Sequence, residues 1–238
     1  MTMRKVAMAA VLMAVAAGAG AQEAEIRKNL AERLPNLPAI DEVTKTPVPG
    51  LYEVRVGNDV LYTDAEGNYL IQGQIIDTKA RRNLTEERVN KLSAIDFASL
   101  PLKDAIVWKN GNGKRKIAVF ADPNCGYCKR FERDLQAVKD VTVYTFLYPI
   151  LAPDSTTKSN AIWCAKDRTK AWQDWMLRGV VPAAAPANCE TPVARNTELG
   201  RKHRVNGTPA LVFEDGTRVP GALNTEQIEA QLAEVSPR

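Results

Sequence analysis

Phe120-Ala121-Asp122-Pro123-Asn124-Cys125-Gly126-Tyr127-Cys128 is the stretch from which the rest of the chain is read. The apolar run Ile117 to Ala121 has the pattern of a buried strand, and the residues after Cys125 carry a helical pattern to about Val138. Two cysteines with two residues between them at a strand-to-helix turn suit thiol–disulfide exchange. In that chemistry a thiolate attacks a disulfide sulfur, and a second thiol releases the mixed disulfide. Cys125 is expected at the helix N-terminus, where free N–H groups and the helix dipole favour an anion. Cys128, a turn further in, is expected to be more buried and to act second. Gly126 and Tyr127 lie inside the ring between the sulfurs and are expected to tune its strain and the acidity of Cys125. A C-x-x-C is also half of a zinc site. Cys164 and Cys189 are not a second close pair, however, and the single histidine, His203, has no partner, so neither a metal nor another cofactor is expected.

Outward from this turn the pattern is α/β. Strands are predicted at Ala105–Trp108, Val141–Leu147 and Ala210–Phe213, and Asn160–Leu177 reads as mostly helical, with Trp163, Trp172 and Trp175 as core anchors. Asn224 with Gln227 resembles a capping box for a last helix, to about Glu234. Thr208-Pro209 precedes a strand. A cis proline there would leave backbone groups free to pair with an extended peptide, so both residues are candidate substrate contacts. Asp122 reads as a solvated turn residue, and His203 as a surface helix residue.

The N-terminal half is different. Ile26, Leu30 and Leu34 recur every four residues in a short amphipathic helix. From Val43 to Asp77, short strands alternate with Gly/Asn turns, the signature of an antiparallel meander, with Tyr52 and Tyr62 as packing residues. So small a core often needs a second copy. Thr85 reads as the N-cap of a helix reaching about Ala98. That helix serves as a linker or packs within one larger domain; pattern alone does not choose. The boundaries are then 1–21 for a leader, 22–83 for the N-terminal domain, 84–101 for the linker helix and 102–238 for the C-terminal domain.

The chain has 238 residues, 45% hydrophobic and 25% charged, which excludes collagen-like, disordered and polytopic membrane proteins. Its formal charge of +4 is too small to imply a polyanionic partner. Arg4-Lys5, an apolar run from Val6 to Ala19 and the small-residue site Ala19-Gly20-Ala21 describe a secretory signal peptide cleaved after Ala21. Export places four cysteines where disulfides persist. Four cysteines allow three connectivities; the simplest is Cys125–Cys128 with Cys164–Cys189.

Phe120-x-Asp122-x-x-Cys125-Gly-Tyr-Cys128 with Gly207-Thr208-Pro209 resembles the thioredoxin fold. Thr46-Pro-Val-Pro-Gly-Leu-Tyr-Glu-Val54 with Asp64-Ala-Glu-Gly-Asn-Tyr-Leu-Ile71 resembles the dimerisation domain of the DsbC/DsbG family of periplasmic thiol:disulfide interchange proteins. The resemblance covers essentially the whole chain. It implies an α+β protein: an N-terminal antiparallel β dimerisation domain, a linker helix, and a thioredoxin-like α/β domain with a helical insertion. It further implies a homodimer, Cys125 as the attacking thiol, a cis Pro209 beside Thr208, and a structural disulfide between Cys164 and Cys189. The implied activity is isomerisation of wrong disulfides in exported proteins, with chaperone activity, the site being kept reduced by the membrane reductase DsbD. Two other readings stay open: a DsbG-like reductase or oxidase of single cysteines, and a mainly chaperone role. One departure from thioredoxin is visible: the buried Asp that thioredoxin carries six positions before its first Cys is here Val119.

Overall fold

A computed structural model describes residues 20–235. The expected leader, apart from Gly20 and Ala21, lies outside the described residues. The chain divides into two compact units that meet between Leu92 and Ser93.

The first unit opens with helix α1, residues 20–33. A four-stranded antiparallel meander follows in sequence order: β1 Glu42–Lys45, β2 Leu51–Val56, β3 Asp59–Asp64 and β4 Leu70–Ile71. Ile26 and Leu30, one turn apart on α1, bury against Val43, Val54 and Leu61 of the sheet. Val56 pairs with Asp59, so Gly57-Asn58 is a two-residue turn, and Gly57 takes a φ of 64° that favours glycine. This core is thin, and large apolar side chains remain outside it: Tyr69 is 71% exposed, and Ile71 and Ile76 are exposed beside it in sequence. A two-stranded hairpin, β5 Ile76–Asp77 with β6 Arg82–Asn83, leads into α2, Leu84–Ser93.

Two expectations need correction here. Asn83, not Thr85, caps α2: its side-chain oxygen accepts the Glu86 N–H at 3.1 Å. The Thr85 hydroxyl is turned inward instead, accepting the Ile75 N–H at 2.8 Å and bonding the Tyr62 hydroxyl. The helix also stops at Ser93 rather than Ala98. Ile95, Phe97 and Leu100 are claimed by the core of the second unit, where the Ile95 N–H donates to the Gly216 carbonyl at 3.0 Å.

The second unit is a five-stranded sheet in the order β11-β10-β8-β9-β7, comprising β7 Ile106–Asn110, β8 Arg115–Ala121, β9 Val141–Leu147, β10 Ala210–Phe213 and β11 Arg218–Pro220. Only β8 and β9 run parallel. Their connection carries α3, Gly126–Leu135; beyond β9 come α4 Ser155–Trp163, α5 Arg168–Arg178, α6 Val193–Lys202 and, last, α7 Thr225–Val235. The Asn160–Leu177 stretch is therefore two helices, broken at Cys164–Asp167. The strands alternate between two buried faces. Ile117, Val119 and Ala121 of β8, with Leu211 and Phe213 of β10, face α3, α5 and α7. Ala118, Phe120, Ala210 and Val212 face Phe97, Leu100 and Val205 on the other side. Each large side chain removed from water contributes about 2 kcal/mol, so both faces hold β8 rigidly and the turn that ends it starts from a fixed point.

Candidate active site

The C-terminal end of β8 delivers Asp122, Pro123 and Asn124, and Cys125 is the N-cap of α3, with extended backbone angles of −74° and 116°. Its sulfur takes the place of the usual capping oxygen: the Cys128 N–H donates to Cys125 Sγ at 3.2 Å. The Cys125 thiol also lies 3.2 Å from the Thr208 carbonyl oxygen, to which it donates. Thr208-Pro209 is a cis peptide bond, in the segment that enters β10. Ala210 pairs with Phe120, so the end of β8 and the start of β10 lie side by side, which brings the Cys125–Cys128 turn next to Thr208-Pro209.

The electrostatics separate the two thiols. The sulfur–sulfur hydrogen bond with Cys128 is the largest influence on Cys125; burial opposes it, and Thr208 and the backbone N–H groups of Cys128 and Tyr127 add to it. The outcome draws Cys125 from 9.0 down to about 6. Burial pushes the Cys128 thiol far above its ordinary range, and the hydrogen bond and charge at Cys125 push it the same way. One sulfur is ready as a thiolate at neutral pH, while the other holds its proton. Both are free cysteines. Gly126 has open space where a Cβ would stand, and Tyr127 is 67% exposed, its side chain turned outward from the ring.

Asp122 is not the solvated turn residue expected from its position: it is 0% exposed. Its Oδ1 accepts the Asn124 N–H at 2.7 Å and the Ser155 hydroxyl at 2.8 Å, and its Oδ2 accepts the N–H groups of Ile150 and Leu151 at 2.7 and 2.9 Å. The carboxylate therefore ties the turn before Cys125 to the segment after β9 and to the start of α4. Asn124 continues the network, its amide N–H group donating to Ser155 Oγ and Asp154 Oδ1. Trp175, expected as a core anchor, is only partly buried; its indole N–H donates to the Pro123 carbonyl at 2.6 Å, and Lys129 and Lys158 lie over its ring. The one sequence signal for Asp122 was a short polar residue directly following a strand whose both faces are buried.

Cys164 and Cys189 are bonded to each other, with Cα atoms 6.1 Å apart. The bond joins the C-terminal end of α4 to the irregular loop that precedes α6. His203 is half-buried at the C-terminal end of α6 and is part of neither cysteine pair. Among the described residues no three His, Cys, Asp or Glu side chains converge as metal ligands would, and no helix is long and apolar enough to cross a membrane.

Two family models match the chain: a thioredoxin-like domain over residues 102–236, and the disulfide bond isomerase protein N-terminal domain over residues 17–86. A probable thiol:disulfide interchange protein DsbC from Bordetella pertussis is 50% identical over 193 residues, which are 81% of this chain and 68% of that protein. The thiol:disulfide interchange protein DsbC of Escherichia coli K12 is 34% identical over 240 residues, 98% of this chain and 97% of its own. A crystal structure of a disulfide interchange protein from Neisseria gonorrhoeae superposes with a TM-score of 0.56 at 42% identity, over 58% of this chain and all of that one.

Proposed function

Because the chain belongs to the DsbC family of thiol:disulfide interchange proteins, we propose that its disulfide isomerase activity runs through Cys125 as attacking thiol and Cys128 as resolving thiol. Thr208 and Pro209 line the substrate side of the same site. The cycle follows from the split between the two thiols. The Cys125 thiolate attacks a misplaced disulfide, one substrate sulfur leaves as a thiolate, and a mixed disulfide remains. A second substrate thiol then attacks that bond, sets the correct pairing and returns Cys125 as a thiolate. When no substrate thiol arrives, Cys128 loses its proton, attacks Cys125 Sγ and frees the substrate in reduced form. The carrying observation is the Cys125 sulfur at the helix N-cap, 3.2 Å from the Cys128 N–H, with its thiol drawn to about 6.

The substrates are exported proteins with wrong disulfides. Tyr127, Ile150 and Leu151 are exposed apolar side chains next to the turn that Asp122 organises, a surface suited to the apolar segments that misfolded chains expose. The thin core of the first unit and its exposed Tyr69, Ile71 and Ile76 support a homodimer formed through residues 22–83. The Arg4-Lys5 leader and the Cys164–Cys189 bond support export to the periplasm, with cleavage after Ala21. Isomerisation requires a reduced site, which in that compartment calls for a membrane reductase of the DsbD kind.

Reactivation of a scrambled, multiply disulfide-bonded ribonuclease tests the assignment. The wild type restores activity with catalytic thiol present; Cys125→Ser falls to the uncatalysed background, and Cys128→Ser turns over slowly while accumulating mixed disulfides. Turnover by Cys125→Ser would remove Cys125 from its role. Acid-trapping in cells tests the donor: a reduced Cys125–Cys128 pair is expected, and an oxidised pair would mean net oxidation instead.

A further inference from the structure

Glu132 is a buried carboxyl that the cycle above does not use. It lies on α3, four residues after Cys128 and hence on the same helix face, where side chains so spaced stand about 5–6 Å apart at Cβ. That face is the buried one: Cys128, Phe131, Glu132 and Leu135 repeat at the spacing of an apolar stripe, and Glu132 is 4% exposed. A carboxyl takes the position of a core side chain. Its Oε1 accepts the indole N–H of Trp172, itself buried in α5, at 2.6 Å, and Trp172 belongs to the same apolar cluster as Cys125, Cys128 and Val119.

The charged groups on the neighbouring elements are engaged elsewhere or turned to solvent. On α3, Lys129 lies over Trp175, Arg130 faces Asp134, and Arg133 is exposed. On α5, Arg168 stacks on Trp163, and Lys170 and Arg178 pair with Asp174. On α7, Glu229 pairs with Arg115 of β8, and Glu226 and Glu234 are exposed. Among the described residues, the Glu132 carboxyl therefore has one side-chain hydrogen-bond donor, Trp172, and no ion-pair partner. Burial raises its carboxyl from 4.5 to about 7, and the Trp172 indole holds it back from rising further.

We infer that Glu132 is the internal proton acceptor for Cys128, the group that lets a buried, proton-holding thiol act as the resolving nucleophile. The inference rests on the assignment of Cys125 as attacking and Cys128 as resolving thiol. In the step, the Cys128 S–H proton passes to the Glu132 carboxylate, directly or through one water. The Cys128 sulfur forms a bond to Cys125 Sγ, the bond from Cys125 Sγ to the substrate sulfur breaks, and the substrate leaves with the electron pair as a thiolate. The cysteine pair is oxidised by two electrons and the substrate disulfide is reduced by two. The proton on Glu132 is then passed to solvent or to the departing thiolate. An acceptor that titrates near the working pH suits this task, because it is ionised often enough to accept and acidic enough to release.

The test loads Cys125 of the intact protein with thionitrobenzoate and follows its release by stopped-flow absorbance from pH 5 to 9. In the wild type, release requires Cys128 and rises with pH to a plateau whose midpoint is near 7. Glu132→Gln keeps the size of the side chain and an oxygen for Trp172; its release rate is expected to fall at least tenfold at pH 7 and to climb steadily with pH without the midpoint. Alkylation of Cys125 stays unchanged, a readout that a general loosening of the fold would move. An unchanged rate and midpoint in Glu132→Gln overturns the inference and leaves the cysteine assignment intact. Release from the wild type that equals release from Cys128→Ser overturns the assignment and the inference together. Infrared spectra of the wild type settle the matter if the variant does not fold. A buried carboxyl C=O band that titrates near neutrality and shifts between dithiol and disulfide forms is expected; its absence overturns the inference.

Discussion

Cys125 and Cys164 both stand at helix ends, and the ends are opposite. Cys125 is the N-cap of α3, where N–H groups point at its sulfur; Cys164 is the C-cap of α4, where the carbonyl end of the helix faces it. A helix carries about half a positive charge at its start and half a negative one at its finish, so the first place stabilises a thiolate and the second disfavours one. The partners differ as well. Cys128 sits three residues beyond Cys125 at the start of the same helix, and a bond between them constrains almost nothing. Cys189 is 25 residues from Cys164, so their bond closes a real loop. On the proposed assignment, one chain uses the same side chain for reversible chemistry and for a permanent tie, and the two are separated by the Cys128 thiol that hydrogen-bonds Cys125, by which end of a helix the sulfur meets and by how much chain the bond encloses.

The largest effect comes from taking away the frame on the reactive side. Asp122→Ala leaves the N–H groups of Asn124, Ile150 and Leu151 and the Ser155 hydroxyl without their acceptor, in a place with no exposure. A loss of about 3–5 kcal/mol in urea unfolding is expected, with slower alkylation of Cys125 in the molecules that remain folded. Stability close to wild type would mean that the turn does not need its buried carboxylate. Next comes the tie. Replacing both Cys164 and Cys189 by Ala should cost about 3.5 kcal/mol in the chain-entropy view, while isomerase turnover per folded molecule stays within about twofold. A loss of turnover beyond that would join the two cysteine pairs functionally and end the contrast drawn above.

The contrast sharpens further in the pH dependence of iodoacetamide alkylation. Cys125 is drawn down to about 6, so its reactivity is present above that pH and is lost as pH falls through it. At pH 7 roughly 90% of it is thiolate, against about 1% for a thiol left at 9.0, a difference on the order of a hundredfold. Cys164, freed by Cys189→Ala, should alkylate at least that much more slowly at pH 7. Equal rates would remove both the Cys128 hydrogen bond and the helix ends as the cause.

Much of the site was legible because its residues are local. The C-x-x-C, the strand before it and the helix after it occupy a single run of sequence, and Thr208-Pro209 announces itself as a proline before a strand. The first unit was legible for a similar reason: its turns are glycine-marked and its strands pair in order. What stayed hidden was decided at a distance. Asp122 reads as a turn residue because its four donors come partly from residues 150, 151 and 155. The helix expected to Ala98 stops at Ser93 because Ile95, Phe97 and Leu100 are worth more in the core of the second unit than on a thin helical stripe. Glu132 did leave a trace, a charged residue at the third position of the stripe Cys128, Phe131, Glu132, Leu135, a place where an apolar side chain belongs.

A chain is made from its N-terminus, so Cys125, Cys128 and Cys164 all exist before Cys189 does. At about 5–20 residues per second, the 25 residues that separate Cys164 from its partner take roughly one to five seconds to appear. Wherever oxidation keeps pace with the arrival of the chain, there is an interval in which three thiols are present and the correct partner of the third is not. Any bond that Cys164 makes within its own chain in that interval is a wrong one. On the proposed assignment, it is also the kind of bond that the Cys125 thiolate of a finished copy is built to attack.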